Sequence, residues 1–262
     1  MNHITGIITT LNEEHNIVEC IRSLRLICNE IIVVDSLSHD NTVTLAKQEG
    51  AVVLTQKYLG DGIQKNYALN SASNNWIFSL DADERISPEL AEIINALPLE
   101  NTTYDSYAVK RRNHIGSRWI KHCRWYPDYC IRLYNKTLTK FCNSKEHAYV
   151  EGKNVKYLTG YILHYSFKNI GELFGKAERN YSTRSAKIMY LQGKKISSFA
   201  PFIHCISAFF TKYFLHLGIL EGIDGLSIAV STASTTYQKY AKLLEYQTDE
   251  KVRNAENFDN IW

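Results

Sequence analysis

Asp81 and Asp83 stand one residue apart in Leu80-Asp81-Ala82-Asp83-Glu84, directly after the apolar run Trp76-Ile77-Phe78-Ser79-Leu80. Two aspartates at that spacing offer hard oxygen ligands to Mg²⁺ or Mn²⁺ and leave positions for the oxygens of a diphosphate. Taken alone, the run reads better as an acidic turn ahead of the helix that Pro88 opens. Other groups point toward a nucleotide. Asp35, which follows Ile31-Ile32-Val33-Val34, is suited to accept hydrogen bonds from a ribose hydroxyl or a base N–H. In Gly60-Asp61-Gly62-Ile63-Gln64-Lys65-Asn66, glycines precede a short helix with Lys65 in its first turn, which would direct backbone N–H groups and an ammonium at phosphate. By itself Lys65 is also a plausible solvent-facing helix residue. His164 ends the apolar run Gly160-Tyr161-Ile162-Leu163, and imidazole is an acceptable Mn²⁺ ligand. The competing reading of His164 is a hydrogen-bonded core histidine.

These groups need elements that deliver them to one place. Ile4–Thr9, Glu30–Val34, Ala51–Thr55 and Trp76–Leu80 read as strands. Between them, Ile17, Ile21 and Leu24 recur at helical spacing, and shorter helices are expected over Val43–Gln48 and Gln64–Leu69. Alternation of this kind predicts βαβ units, right-handed crossovers and an α/β fold with a mainly parallel sheet and helices on both faces. Thr9-Thr10-Leu11-Asn12-Glu13, Asp35-Ser36 and Asp81-Ala82-Asp83 then all fall at the carboxyl edge, where open α/β sheets bind ligands. The chain has neither G-x-G-x-x-G nor G-x-x-x-x-G-K-[ST], which disfavours dehydrogenase and P-loop readings.

Composition narrows the class further. The 262 residues are 45% hydrophobic with only four prolines, enough to bury a substantial core. The net charge of +3 is too small to imply nucleic acid. Six cysteines form no C-x-x-C pair, and Cys123, Cys130 and Cys142 with His122 and His147 match no standard zinc spacing. A reduced, cytoplasmic setting is expected, and the amino terminus has no secretory-signal pattern.

Taken together, Thr9-Thr10-Leu11-Asn12-Glu13-Glu14, Val33-Val34-Asp35-Ser36-Leu37-Ser38-His39-Asp40-Asn41-Thr42, Gly62-Ile63-Gln64-Lys65-Asn66 and Asp81-Ala82-Asp83-Glu84 resemble family 2 glycosyltransferases of the GT-A (Rossmann-like) fold. Trp119-Ile120, Trp125-Tyr126-Pro127-Asp128-Tyr129, Arg132-Leu133-Tyr134 and the carboxyl-terminal extension resemble the subgroup that adds glucose to the inner core of bacterial lipopolysaccharide or lipooligosaccharide. The resemblance implies inverting transfer of a hexose, glucose foremost, from a UDP-sugar to a sugar hydroxyl with a divalent metal. It implies that Thr9, Leu11, Glu13, Asp35 and Lys65 hold the nucleotide, Asp81 its ribose and Asp83 the metal, with His164 as a further metal ligand. The general base of such relatives is His-Glu, then an apolar residue and glycine. Here Lys145-Glu146-His147-Ala148 puts alanine after the histidine, so Glu146 is the first candidate, His147 the second and Asp128 the third. For Glu146 a surface carboxylate paired with Lys145 is the other reading.

Between Lys110 and Arg132, basic residues interleave with Trp119, Trp125, Tyr126 and Tyr129. That mixture suits a phosphorylated sugar acceptor, with rings on sugar faces and guanidinium groups on phosphate; Arg132 stands out because it lies in a strand-like stretch. No RNP-like or zinc-finger pattern accompanies it, so nucleic acid is not an expected partner. Ile196–Leu220 keeps helical spacing with few charges, and Pro201 and its histidines favour a helix lying in a membrane interface or covering the domain over one that spans. The expected layout is a catalytic domain over 1–168, with nucleotide-sugar binding in 1–100 and the acceptor side in 101–168. A helical membrane-associating extension over 169–246 and a tail over 247–262 follow. A lipid-linked acceptor on the inner face of the cytoplasmic membrane would give the attachment a purpose. Two alternatives stay open: a sugar nucleotidyltransferase, and a catalytically impaired UDP-sugar-binding or membrane-interaction protein on the same scaffold.

Overall fold

A computed structural model describes residues 2–143, 148–176, 182–255 and 258. The chain divides into two compact units, Met1–Arg112 with Pro127–Tyr165, and Asn113–Tyr126 with Ser166–Trp262. The segment expected on the acceptor side of the catalytic domain is therefore split: residues 113–126 cluster with the carboxyl-terminal helices, and 127–165 with the nucleotide half.

In the first unit the elements are β1 (Ile4–Thr10), α1 (Ile17–Leu24), β2 (Glu30–Asp35), α2 (Thr42–Gln48), β3 (Val52–Thr55), α3 (Asp61–Tyr67), β4 (Trp76–Asp81), β5 (Glu84–Ile86), α4 (Pro88–Asn95) and β6 (Ser106–Ile115). After the short β7 (Arg118–Trp119) come β8 (Asp128–Asn135) and β9 (Val155–Phe167); the last residues of β6 and β9 pass into the second unit. The strand order is β3-β2-β1-β4-β8-β6-β9-β5. β3, β2, β1 and β4 are parallel, whereas β8 runs antiparallel to β4 and β6, and β5 antiparallel to β9. The mainly parallel character read from the sequence thus describes one half of a mixed sheet.

Burial explains why these segments adopt these forms. Ile4 and Ile8 of β1 pack with Phe78 and Leu80 of β4 in one cluster, while Ile7 and Ile77 belong to a second with Ile32 and Val34, so both sheet faces are covered. Ile17, Cys20, Ile21 and Leu24 form the buried stripe of α1 at helical spacing. Ser87 caps α4 by accepting the Leu90 N–H at 3.1 Å, with Pro88 at the first helical position. Gly160 of β9 lets α4 lie close: a Cβ there would sit 2.7 Å from the Leu90 Cα.

The second unit holds β7, paired with His114 and Ile115 at the end of β6. It continues with α5 (Ile170–Lys176), α6 (Thr183–Leu191), α7 (Ala200–Phe210), α8 (Gly222–Thr248) and α9 (Glu250–Ala255). The single helix predicted over Ile196–Leu220 is instead α7, a π turn over Thr211–Leu215, and a break at Leu217, whose φ is +56°. Close packing causes the break. A Cβ at Gly218 would come 2.8 Å from the Lys212 carbonyl oxygen and 2.9 Å from Cys123 Sγ, and the Cys123 N–H donates to the His216 carbonyl at 2.8 Å. Among the described residues no single helix is long and apolar enough to cross a membrane; Ala200–Leu215 with Gly218–Thr248, bent by 69°, passes that test only as a pair.

Candidate active site

β4 lies between β1 and β8, and its register puts Asp81 opposite Thr9. The Thr9 hydroxyl donates to Asp81 Oδ1 at 3.1 Å, and Lys65 Nζ reaches the same oxygen at 2.8 Å. From β8, Arg132 Nη2 bonds Asp81 Oδ2 at 3.1 Å and Glu84 Oε1 at 2.5 Å. From β6, Arg111 Nη1 lies 3.3 Å from the same Glu84 oxygen, while its Nε and Nη2 lie 2.9 Å and 2.8 Å from Asp128 Oδ2. The fully buried Glu84 also accepts the Asp81 N–H at 3.1 Å. Lys65, Asp81, Arg132, Glu84, Arg111 and Asp128 thus form a chain of alternating charge beneath the sheet edge. Burial would push the Asp81 carboxyl up, but Lys65 and Arg132 outweigh it and hold it well below the usual carboxylate range.

Asp83 is placed differently. It occupies the turn between β4 and β5, and β5 pairs with β9 so that Glu84 faces His164. The Tyr165 N–H donates to the Asp83 carbonyl at 3.0 Å, which brings His164 Nε2 to 3.5 Å from Asp83 Oδ2. Burial opposes a charge on His164, but its bond to Asp83 and the charges of Asp83 and Glu84 raise its pKa above the ordinary histidine value.

Beside these carboxylates opens a cleft of about 310 Å³, lined by Thr9, Thr10, Leu11, Glu13, Ser36, Tyr58, Asp61, Gln64, Asp81 and Asp83 among others. Its floor is fixed by bonds between the loops that follow β1 and β2. The Asn12 N–H donates to Ser38 Oγ, the Glu13 N–H to Thr42 Oγ1 and the His39 N–H to Asn12 Oδ1, all at 2.8–2.9 Å. Thr10 Oγ1, Gln64 Oε1 and Asp35 Oδ1 are buried and have no hydrogen-bond partner among the described residues. Buried polar atoms are normally satisfied, so three of them in and behind one cleft mark where a polar ligand would bond.

Of the residues expected to hold the nucleotide, Thr9, Leu11, Glu13 and Asp81 line the cleft, with Asp83 at the same edge. Asp35 and Lys65 are buried behind it. Lys65 differs from the expectation of a first-turn, phosphate-facing residue: α3 begins at Asp61, so Lys65 lies a turn later and points inward at Asp81. Arg132 likewise is not on an exposed acceptor face, because the carboxylates of Asp81 and Glu84 hold it inside. Asp128 joins the charged chain through Arg111; Glu146 and His147 fall outside the described residues. Trp119, Trp125 and Tyr126 belong to the second unit, where Trp119 meets Tyr126 edge-on with ring centres 5.3 Å apart and Trp125 stacks on Phe167 at 5.9 Å. Sequence reasoning gave no role to Glu84, placed Arg111 in the basic and aromatic stretch suited to an acceptor, and did not single out Gln64 or Ser36. The one sequence signal for Glu84 was a third carboxylate in the acidic run.

The sequence profile of Glycosyl transferase family 2 matches residues 5–170, which contain every group of this cleft. The chain belongs to that family. This family 2 glycosyltransferase is 34% identical to an uncharacterised glycosyltransferase of Rickettsia typhi, over 99% of this chain and 92% of that one. It is 28% identical to the lipopolysaccharide core biosynthesis glycosyltransferase LpsC of Rhizobium meliloti, over 91% of this chain and 93% of LpsC. Among solved structures, residues 1–349 of S. aureus TarS align with a TM-score of 0.49 and 14% identity, covering 95% of this chain and 92% of that one. The glycosyltransferase has the GT-A type of α/β fold, with its cleft at the carboxyl ends of the parallel strands.

Proposed function

We propose that this glycosyltransferase moves a hexose, glucose, from a UDP-sugar to a hydroxyl of a lipid-linked lipopolysaccharide or lipooligosaccharide core, with inversion at the anomeric carbon. The observation that carries the donor reading is the pairing of Asp83 and His164 at the lip of a cleft whose buried polar atoms await a partner. Thr9, Leu11, Glu13 and Asp35 serve the nucleotide from the ends of β1 and β2, with half-exposed Leu11 offering apolar surface to a base. Lys65 acts on the nucleotide through Asp81, whose carboxylate it fixes and which faces the ribose.

The residues present fit a divalent ion. Among the described residues no three of His, Cys, Asp and Glu are grouped to hold a metal, so an ion here would rest on Asp83 and His164 and share its remaining positions with the diphosphate. A hard carboxylate oxygen with an imidazole nitrogen suits Mn²⁺. When bound, such an ion neutralises charge that develops on the departing UDP. The protein's own part is to hold the donor against the sheet edge and to supply a base that takes the acceptor hydroxyl's proton as that oxygen attacks the opposite face of the sugar. Glu146, His147 and Asp128 are the candidates for that base.

The core-oligosaccharide acceptor is supported by similarity to LpsC along nearly the whole length of both chains. Titration calorimetry with UDP-glucose, UDP-galactose and UDP-N-acetylglucosamine, with Mn²⁺ and with chelator, tests the donor. Mn²⁺-dependent binding of UDP-glucose above the others is the expected result, and no binding of any UDP-sugar overturns the reading. Transfer of labelled glucose to truncated lipooligosaccharide then tests the acceptor.

A further inference from the structure

The second unit turns much apolar surface outward. Phe199, Phe202, Ile203, Leu215, Leu220 and Ile223, all on or near α7 and the start of α8, are each between 59% and 76% exposed. Exposed large apolar side chains gathered on one pair of helices mark an interaction site. It is also preformed. Phe209 stacks on Tyr213 and Phe210 on Phe214, both with ring centres 5.5 Å apart, and His204 stacks on Tyr240 of α8 at 4.1 Å.

Charge identifies the occupant. From Gln192 to Leu220 the chain has no aspartate or glutamate but carries Lys194, Lys195 and Lys212. Lys194 Nζ and Lys239 Nζ lie 5.7 Å and 4.8 Å from the centre of the same Tyr240 ring. Lys194, Lys195 and Lys239 form no ion pair among the described residues, and burial together with the charge of Lys194 pulls the Lys239 ammonium below its usual pKa. A cavity of about 570 Å³ opens beside them, lined by Tyr190, Lys194, Lys195, Gln247 and Arg253 among others. Arg253 is paired with Glu250, but Lys194, Lys195 and Lys239, next to exposed aromatic and aliphatic side chains, match a lipid phosphate beside acyl chains. A second copy of the chain fits poorly, because pairing this face with itself would set uncompensated ammonium groups against one another.

We propose that the α7 face docks on an anionic lipid bilayer, with Phe199, Phe202 and Ile203 in the acyl boundary and Lys194 and Lys195 on headgroup phosphates. Eleven residues make α7 about 16 Å long, roughly half the hydrocarbon thickness, so it lies in the interface plane. Docking of this kind would keep the enzyme on the inner face of the cytoplasmic membrane, beside a lipid-linked acceptor. The inference does not rest on the donor assignment, which calorimetry reads separately.

Flotation of the full chain with phosphatidylcholine vesicles, with and without phosphatidylglycerol, is the test. Binding to the anionic vesicles is expected. Lys194→Gln/Lys195→Gln should bind them about 30-fold more weakly, and Phe199→Ser/Phe202→Ser should not float, both with unchanged urea midpoints. Failure of the unsubstituted protein to float, or equal flotation of the lysine variant, overturns the proposal. A concentration-dependent dimer abolished by Phe199→Ser/Phe202→Ser, without flotation, gives the face to a second copy, and resistance to carbonate extraction replaces flat docking with insertion.

Discussion

Arg132→Met tests whether the buried charges beneath the sheet edge act as one unit. The substitution keeps an unbranched side chain of similar reach but removes the guanidinium that contacts both Asp81 and Glu84. Glu84, fully buried, is then left with Arg111 at 3.3 Å as its remaining ion-pair partner. Removing one member of a buried ion pair typically costs about 3–5 kcal/mol, since the other charge stays out of water without compensation. With a urea slope of about 2–3 kcal/mol per molar, the unfolding midpoint falls by about 1–2 M, a large share of a typical stability of about 5–15 kcal/mol. Glu84→Gln removes the opposite charge, and the double variant Arg132→Met/Glu84→Gln lacks both. Its loss should be smaller than the sum of the single losses by up to about 3 kcal/mol, the coupling expected of groups in one network. Urea denaturation followed by tryptophan fluorescence provides all four values. Additive losses, or a midpoint change of Arg132→Met below about 0.3 M, would refute the account of Glu84 as a carboxylate held in place by its two arginines.

The two aspartates of the acidic motif should separate by assay. Asp83→Asn keeps its urea midpoint within about 0.5 kcal/mol and loses Mn²⁺-dependent UDP-sugar binding in calorimetry, whereas Asp81→Asn is destabilised because Lys65 and Arg132 lose their shared acceptor. For the base, Glu146→Gln should retain UDP-sugar binding and lower kcat at least about 100-fold; wild-type turnover by that variant, with loss in Asp128→Asn, moves the role to Asp128. Acid stability tests Asp105, whose carboxylate accepts the Ser106 hydroxyl at 2.6 Å and the Lys153 and Asn154 N–H groups at 2.8 and 2.9 Å. Burial opposes this charge, but the bonds outweigh it and hold the carboxyl below its usual pKa. Its contribution is therefore present above the unfolded value of about 4 and lost as pH falls through the lower folded value. Urea midpoints at pH 7 and pH 3 should differ less in Asp105→Asn than in the unsubstituted protein, and equal differences would discount those bonds. Gly160→Ala, which would push a methyl group against the α4 backbone at Leu90, should cost about 1–3 kcal/mol by the same urea assay.

The sequence carried the parallel half of the sheet plainly, because two of its strands are near-continuous apolar runs that end in an aspartate at the site edge. Ile31–Val34 before Asp35 and Trp76–Leu80 before Asp81 both follow that rule. Lys65 shows where local reading fails. Gly62 looks like a helix boundary, yet it lies inside α3, and it is glycine because a Cβ there would collide with the Cys142 carbonyl of chain far away in sequence. α3 starts at Asp61, before that glycine, so Lys65 falls in a later turn and reaches inward to Asp81. Arg111 and Arg132 misled for a related reason. Their neighbours read as an acceptor-binding stretch, and only the β6–β8 register, with Arg111 opposite Asp128, sets both guanidinium groups against Glu84.

The same registers divide the work between Asp81 and Asp83. Asp81, Glu84 and Asp128 are matched one for one by Lys65, Arg132 and Arg111, so three carboxylates at the sheet edge are neutralised by the protein itself. Asp83 stands outside that chain, with His164 rather than a lysine or arginine at its side. Unlike a guanidinium, the His164 imidazole can give up its proton, and in that form it would leave the Asp83 charge available to a cation. A parallel strand ending in one aspartate cannot separate a fixed carboxylate from an available one. The turn at Ala82 and the antiparallel pairing of Glu84 with His164 do so, by giving Asp83 a different partner from the Lys65 and Arg132 that hold Asp81 in the same cleft. The antiparallel half of the sheet is what sets His164 beside Asp83 and Glu84, although most of the sequence pattern that announces the site lies in the parallel half.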